Sequence, residues 1–218
     1  MPEPVIRVVV VDDQPLFSAG IAMLIEAQPD MDCIATATDG VEAIEVVERL
    51  HPDIVLMDVR MPGMNGLDAT RALLARGRAD DTPRVIVLTT LRRDDVVSRA
   101  LEAGASGFLT KDSTPDEVLS SIRTVHAGDA VPDLPGILEL IRRGAGSTPQ
   151  QSSISALSPR EREVFLLVAR GLTNSEIAVA SYVSEATVKT HIAAILRKLQ
   201  LRSRVQVVVF AHQHDLVG

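Results

Sequence analysis

Five short, almost wholly apolar segments alternate with stretches of helical periodicity, and this alternation constrains the fold more than any other feature. The apolar segments are rich in valine, isoleucine and leucine and span residues 5–11, 33–37, 53–57, 84–89 and 107–110. Segments of that length without polar alternation are typical of parallel strands buried on both faces. The stretches between them carry apolar residues three and four apart, as amphipathic helices do. The pattern predicts an α/β domain of five βα units, with a doubly wound parallel sheet and right-handed crossovers.

The pattern changes beyond residue 128. Residues 129–154 contain three prolines and a Gly/Ser/Gln-rich end, which indicates a linker with one short helix, ILELIRR. From Ser158 onward the periodicity is helical only, and Ser158 and Thr173 each open a capping box with a glutamate three residues later. Short helices with a tight turn at residues 180–182 are typical of a helix-turn-helix. We therefore predict an α/β domain over 1–128, a linker over 129–154 and a small all-α domain over 155–218.

The charge is distributed unevenly between these segments. The chain carries a net charge of -7, but residues 1–128 carry -9 whereas residues 155–218 carry +3. An acidic part followed by a mildly basic one fits a C-terminal module that faces phosphates.

No apolar run approaches the roughly 20 residues that a membrane helix needs, and the N-terminus lacks the basic segment of a signal peptide. We therefore expect a cytoplasmic protein with no membrane partner. The single cysteine, Cys33, cannot form an internal disulfide, and its apolar neighbours favour buried packing.

Polar side chains follow four of the predicted strands. Asp12 and Asp13 follow the first strand, Asp58 the third, Thr89 ends the fourth and Lys111 follows the fifth. In open α/β sheets the ligand crevice lies beyond the carboxyl ends of the strands, so these side chains are expected to converge on one rim. Each has a plainer interpretation alone, as a helix cap, a β-former or a solvated charge, but together they favour a site.

Three converging carboxylates repel one another unless a divalent cation neutralises them, and oxygen ligands select Mg²⁺ or Mn²⁺. A lysine and a threonine hydroxyl beside such a cation suit a phosphoryl group in transfer. Asp58 is then the candidate nucleophile, which would become an aspartyl phosphate.

The first 128 residues resemble the receiver domain of two-component response regulators. The resemblance implies a flavodoxin-like (βα)5 fold. It rests on four motifs: DD at 12–13, DVRMPGMNG at 58–66, LTT at 88–90 and GFLTKD at 107–112.

By this resemblance Asp58 is the phosphoacceptor, and Asp12 and Asp13 are the acids of the metal site together with Asp58. The backbone carbonyl of Arg60 is a further implied metal ligand.

The same resemblance makes Thr89 and Lys111 contacts of the phosphoryl oxygens. Thr89 is also the switch residue, together with Phe108, which stands where receivers carry a rotating aromatic side chain that is often tyrosine. Arg60 and Leu91 stand at positions that tune the lifetime of the phosphoryl group.

Residues 155–218 resemble the LuxR-type output domain of the NarL/FixJ class of response regulators, through the segments LSPREREVF, GLTNSEIA and VSEATVKTHIAAILRKLQLRSR. In the third helix of this part, five apolar side chains form one buried stripe. They are Val188, Ile192, Ile195, Leu196 and Leu199.

A helix-turn-helix places its second helix in the major groove of DNA. Lys189 and Thr190 are the predicted base-reading residues, and Ala193 is a candidate for a methyl contact with thymine. The predicted phosphate contacts are Thr173, Asn174, His191, Arg197 and Lys198.

The last helix is apolar on nearly all sides, with Val205, Val208 and Val209 among its residues, together with Val207 and Phe210. It must bury more than one face, which predicts a self-dimer through this helix. The pair His212 and His214 has no third ligand nearby in the sequence and is not assigned to a metal.

Together these features predict a transcriptional regulator that is not an enzyme, apart from catalysing its own phosphorylation and slow dephosphorylation. It would be phosphorylated by a sensor histidine kinase, form a homodimer on phosphorylation and bind double-stranded promoter DNA. One alternative is an aspartyl-phosphate phosphatase or phosphotransferase, but the expected DxD motif is missing at Asp58. The other is a constitutive DNA-binding protein whose first domain serves only for dimerisation.

Overall fold

The computed structural model describes residues 5–76, 82–90, 94–128 and 154–217. The strands are β1 (Ile6–Val11), β2 (Met31–Ala37), β3 (Ile54–Asp58), β4 (Arg84–Thr89) and β5 (Gly107–Thr110). The helices that alternate with them are α1 (Pro15–Glu26), α2 (Gly40–Leu50), α3 (Gly66–Arg76), α4 (Asp94–Ala103) and α5 (Pro115–Ala127). The predicted linker helix ILELIRR and Leu91 lie outside the described residues.

The five strands form one parallel sheet in the order β2-β1-β3-β4-β5. This order confirms the predicted doubly wound (βα)5 fold, and its direction reverses between β1 and β3. Val11 of β1 pairs with Met57 of β3, so that Asp12 and Asp58 follow a matched pair at the same rim.

Both faces of the sheet are covered, as the unbroken apolar strands predict. Along β1, Val8 and Val10 pack with α1 and α5, whereas Val9 and Val11 pack with α2, α3 and α4. The two apolar layers hold the carboxyl ends of the strands in fixed positions relative to one another.

The loop after Asp58 needs glycine for a steric reason. A Cβ at Gly66 would lie 1.8 Å from the carbonyl oxygen of Asp58, and the amide of Gly66 donates to the carbonyl of Val59 at 3.1 Å. Gly63, in the same loop, has a φ of 71°, in the left-handed region. The loop therefore folds tightly back on the end of β3.

The helical domain begins with a 3₁₀ helix (Ile154–Ala156), followed by α6 (Pro159–Ala169), α7 (Asn174–Ser181), α8 (Glu185–Leu199) and α9 (Arg204–Gln213). Ser158 and Thr173 form the predicted capping boxes, and Ser184 caps α8. The turn between α7 and α8 passes through Tyr182, which adopts a left-handed φ of 54°. The predicted helix-turn-helix is present.

Helix α9 buries two faces. Val207 and Phe210 belong to the core of the helical domain, whereas Val205 and Val208 belong to the apolar cluster of the α/β domain. The second face that the sequence requires to be covered is therefore packed against the α/β domain of the same chain. At the start of this contact Ser203 Oγ donates to the carbonyl of Ala105 at 2.9 Å.

Candidate functional site

Three carboxylates meet at the rim where β1 and β3 end. Asp12, Asp13 and Asp58 each offer an oxygen within 4.8 Å of the others. Asp12 and Asp58 are buried, whereas Asp13 is exposed to solvent. Such a concentration of negative charge is unfavourable without a nearby cation.

Lys111, just after β5, supplies a positive charge to this cluster. Its Nζ lies 2.6 Å from Oδ2 of Asp12 and 2.9 Å from Oδ2 of Asp58. The backbone amide of Lys111 donates to the carbonyl of Thr89 at 2.8 Å, which ties the end of β5 to the end of β4. The lysine therefore bridges two carboxylates that belong to different strands.

Burial and charge act in opposite directions on these groups. Burial raises the pKa of Asp58, and the hydrogen bond from Lys111 only partly offsets this, while the charge of Asp12 adds to the increase. Burial opposes the charge of Lys111, yet the pKa of Lys111 is raised because Asp12 and Asp58 both bind its ammonium group. The site thus combines a carboxylate whose ionised form is destabilised with a lysine whose charged form is stabilised.

The ring of Phe17, on α1, lies against the same lysine. Nζ of Lys111 is 4.8 Å from the ring centroid, within the range of a cation–π interaction. The sequence did not point to Phe17, because an aromatic residue in the first turn of an amphipathic helix is indistinguishable from core packing.

The remaining residues predicted for this rim lie close to it. Thr89 is buried at the end of β4, and Phe108 is buried on β5, where it pairs with Val87. The amide of Arg60 donates to Oδ1 of Asp58 at 3.3 Å, and its guanidinium donates to Oγ1 of Thr90. The structure therefore brings the three acids, Lys111, Thr89 and Arg60 to one end of the sheet, whereas Phe108 lies two residues before the end of β5.

The donor set at the rim fits a hard divalent cation. It consists of carboxylate oxygens, and Oδ2 of Asp12 receives no hydrogen bond of good geometry although the ammonium of Lys111 is near. A divalent ion would bind the carboxylate oxygens whose charge Lys111 neutralises in this structure.

The residues predicted to read DNA bases lie on the outer side of α8. Lys189, Thr190 and Ala193 are exposed, and Oγ1 of Thr190 donates to the carbonyl of Ala186 at 3.0 Å.

Lys189 and Ala193 also line a cleft between the two domains, here called the interdomain cleft. Its α/β wall includes His51, Asp53, Arg84 and His126, and its helical wall includes Lys189, Ala193, Arg197 and Arg202.

The residues predicted to contact DNA phosphates are placed less uniformly. Arg197 is exposed and lines the interdomain cleft, whereas His191 is half-buried. Thr173 caps α7, and Lys198 forms an ion pair with Glu161 at 2.7 Å. These side chains do not form one continuous surface in this arrangement of the domains.

Asn174 is the most deeply buried of this predicted set. It is 1% exposed, its Nδ2 donates to the carbonyl of Gly128 at 3.3 Å, and its Oδ1 accepts from Nη1 of Arg204 at 2.8 Å. Arg204 also donates to the carbonyls of Gly128 and Leu172. The contact links the end of α5 to the helical domain, and its sequence signal was an arginine at the start of a helix rich in apolar residues.

The residues predicted for dimerisation lie on α9. Val205 and Val208 are 1% and 0% exposed, and Val209 is partly buried against the same cluster of the α/β domain. Their apolar face is therefore covered within the chain.

Comparisons with known proteins agree with this architecture. The model of the response regulator receiver domain matches residues 8–123, and that of the luxR family of bacterial regulatory proteins matches residues 155–211. The transcriptional regulatory protein LiaR of Bacillus subtilis is 38% identical over 219 residues, covering 98% of this chain and 100% of that protein. The nitrate/nitrite response regulator protein NarL of Escherichia coli is 35% identical over 211 residues, covering 96% of each chain.

Among solved structures, the crystal structure of the response regulator ChrA, from a heme-sensing two-component system, is similar along the whole chain. It is 32% identical, with a TM-score of 0.51, and the match covers 98% of this chain and 99% of that chain.

The fold and the two sites define a regulator in which an α/β domain with an acidic rim precedes a helix-turn-helix domain. The chain belongs to the two-component response regulators that join a receiver domain to a luxR-type DNA-binding domain and control transcription. This confirms the resemblance to the NarL/FixJ class and the expectation of a non-enzyme, and it rules out the phosphatase alternative. Within the described residues no helix has the length and apolar character needed to cross a membrane.

Proposed function

We propose that Asp58 is the phosphoacceptor of this response regulator and that a sensor histidine kinase is its phosphodonor. The single observation that carries this proposal is the bridge from Lys111 to both Asp12 and Asp58, at 2.6 and 2.9 Å. The ammonium group of Lys111 can move from these carboxylates to the phosphoryl oxygens as negative charge develops on the phosphoryl group.

In the proposed reaction an oxygen of Asp58 forms the new bond to phosphorus while the bond from phosphorus to the histidine nitrogen of the kinase breaks. The electron pair of that bond leaves with the imidazole. Lys111 then neutralises the phosphoryl group, with the hydroxyl of Thr89 as a second contact. A Mg²⁺ or Mn²⁺ ion bound by Asp12, Asp13, Asp58 and the carbonyl of Arg60 would supply further positive charge for the phosphoryl oxygens.

Intact-mass spectrometry of the full chain with acetyl phosphate and Mg²⁺ tests the assignment. The wild-type protein should gain one phosphoryl group, Asp58→Asn should gain none, and the exposed Asp68→Asn should behave as the wild type. Unchanged labelling of Asp58→Asn would contradict the proposal.

The second part of the proposal is that phosphorylation controls DNA binding. Lys189, Thr190 and Ala193 would contact bases, and Thr173, Asn174, His191, Arg197 and Lys198 would contact phosphates. In the present arrangement Lys189, Ala193 and Arg197 line the interdomain cleft, opposite the receiver domain. Because a recognition helix must enter the major groove, the two domains would have to separate before binding.

A packed route connects the two sites. Phe108, Leu101 and Ala105 share one apolar cluster with Val205 and Val208 of α9. Hydrogen bonds reinforce the contact, since Gln206 Nε2 donates to the carbonyl of Leu101 at 2.9 Å. We infer that a shift of Thr89 and Phe108 towards a phosphoryl group alters the surface on which α9 rests.

Fluorescence anisotropy with DNA selected from genomic binding sites tests this part. Phosphorylation should increase the affinity of the wild-type protein, and Lys189→Gln should lower affinity in both states. Equal affinity before and after phosphorylation would instead support the constitutive DNA-binding alternative.

We also propose that Val205, Val208 and Val209 form a homodimer interface in the phosphorylated protein. The same face packs on the receiver domain within the chain, so the two contacts exclude each other. Light scattering should detect a monomer before phosphorylation and a dimer after it, and Val209→Asp should prevent the dimer. A phosphorylated wild-type monomer would contradict this assignment.

The proposed domain limits are 1–128 for the receiver, 129–154 for the linker and 155–218 for the output domain. They are supported by family matches over 8–123 and 155–211 and by the end of α5 at Ala127. Because its partners are promoter DNA and the phosphorylating domain of a kinase, we infer that the protein acts in the cytoplasm.

A further inference from the structure

The interdomain cleft has the size of a ligand site. Its volume is about 940 Å³, and its walls come from both domains. That volume is near the upper end of the range for small-molecule sites in proteins, and domain interfaces are frequent locations for them.

The output wall of the cleft carries positive charges that have no counter-ion among the described residues. Lys189, Arg197 and Arg202 are exposed, and among residues 5–76, 82–90, 94–128 and 154–217 none of their charged groups forms an ion pair or hydrogen bond. Side chains elsewhere on this domain do form such pairs, as Lys198 does with Glu161. The three cations are therefore available to an anion in the cleft.

The receiver wall adds hydrogen-bond donors and further positive charge. It contributes the rings of His51 and His126 and the guanidinium of Arg84, which donates to the carbonyl of His126. Within the described part of the wall Asp53 is the one carboxylate, and its Oδ2 already accepts from the amide of Arg7 at 2.8 Å.

The two walls are close enough to influence each other. Burial lowers the pKa of His126; the charge of Asp53 opposes this, and the charges of Arg84 and Lys189 lower the pKa further. Lys189 belongs to the opposite domain, so its field reaches across the cleft. The charges of Arg84 on the receiver wall and Lys189 on the output wall both border the cleft, which favours an anion between them.

We propose that the interdomain cleft binds a small anion with two or three linked phosphoryl groups, which bridges Arg202 and Lys189 of the output domain to His126 of the receiver domain. Linked phosphoryl groups offer several acceptor oxygens along their length and can therefore satisfy donors on both walls at once. The bound anion holds the domains together and occupies Lys189, which would otherwise contact DNA bases. The binding does not depend on Asp58, so it stands or falls separately from the proposed phosphorylation.

Isothermal titration calorimetry of the full chain with inorganic tripolyphosphate tests the proposal. EDTA should be present, since it removes divalent cations that would bind both the probe and the acidic rim. The wild-type protein should bind one tripolyphosphate per chain. Arg202→Gln and His126→Gln, one on each wall, should each lower the affinity about tenfold, as expected for loss of one hydrogen bond to a charged group.

Arg170→Gln is the matched control, because Arg170 is exposed on the output domain and does not line the cleft. Its affinity should equal that of the wild type, and thermal melting should show that all three variants are folded. Unchanged affinity in His126→Gln would overturn the proposal, because tripolyphosphate would then bind only to the basic recognition helix. Absence of binding, or an equal loss in Arg170→Gln, would overturn it as well.

Discussion

The acidic rim and the recognition surface differ in how much of the chain each one needs. Asp12, Asp58 and Lys111 come from the ends of strands in one sheet, and Lys111 lies 2.6 Å from Asp12 and 2.9 Å from Asp58. The residues proposed for DNA binding lie on one small domain, yet Lys189 and Arg197 line the interdomain cleft and Asn174 bonds to Gly128. The fold of the receiver domain alone completes the acidic rim. The position of the receiver domain relative to the output domain decides whether the recognition surface is available to DNA.

Lys111→Met should have the largest effect on stability. The side chain of Lys111 is 9% exposed and lies between two buried carboxylates, so its removal leaves Asp12 and Asp58 facing each other without compensation. Breaking a buried ion pair on one side costs about 3–5 kcal/mol in the free energy of unfolding. Urea denaturation in EDTA measures this loss, and Mg²⁺ should restore part of it by neutralising the same carboxylates.

Lys198→Met is the control for that experiment. Lys198 also pairs with a glutamate, but its side chain is 34% exposed, so its removal should cost less than about 1 kcal/mol. Similar losses of unfolding free energy in Lys111→Met and Lys198→Met would show that the ion pairs of the acidic rim contribute no more than a partly exposed pair.

Gly66→Ala should produce the next largest effect. The new Cβ would lie 1.8 Å from the carbonyl oxygen of Asp58, so the loop after β3 must move. We expect a loss of about 3 kcal/mol, typical of overpacking at a site that cannot yield, together with slower phosphorylation by acetyl phosphate. Gly20→Ala, on α1, has nothing within 4 Å of its Cβ and should instead gain about 0.5–1 kcal/mol in urea denaturation. A neutral Gly66→Ala would contradict the account of this loop.

The rim could be predicted from the sequence because parallel strands place their carboxyl ends together whatever the loops do. Asp12, Asp58 and Lys111 each follow an apolar segment, so their meeting requires only the fold class. Phe17 could not be predicted, because its approach to Lys111 depends on the rotation of α1 about its own axis.

Helix α9 shows the limit of the same reasoning for surfaces between domains. Its apolar residues indicate two buried faces, and both are buried. Periodicity cannot say what covers the second face, because a second copy and the receiver domain both offer apolar surface. Ser203 and Ala105 are also too far apart in the chain for a local sequence pattern to predict their hydrogen bond.

Ser203→Ala should have a smaller effect, on the interdomain contact and on the start of α9. Ser203 Oγ accepts from the amide of Gln206 at 3.3 Å as the cap of α9, and it donates to the carbonyl of Ala105 in the receiver domain. The loss of both bonds should cost about 1–2 kcal/mol, and small-angle scattering should detect a larger radius of gyration. Ser158→Ala, which removes the cap of α6 without touching the receiver domain, should lower stability and leave the radius unchanged. An unchanged radius in Ser203→Ala would mean that this contact does not hold the domains together.

Glu161→Gln should have the smallest effect, a loss of stability that is present at neutral pH and disappears in acid. The hydrogen bond from Lys198, followed by that from the amide of Ser158, lowers the pKa of Glu161 from its ordinary value of 4.5 to about 2. A depressed carboxylate pKa contributes stability that is present above pH 4.5 and is lost as the pH falls towards 2. Thermal melting of the wild type should therefore decline over that range more steeply than melting of Glu161→Gln, with Glu185→Gln, an exposed residue of α8, following the wild type. Parallel curves would mean that Lys198 is not held by Glu161. It would then be as available to DNA phosphates as Arg197, and the recognition surface would be less divided than this structure indicates.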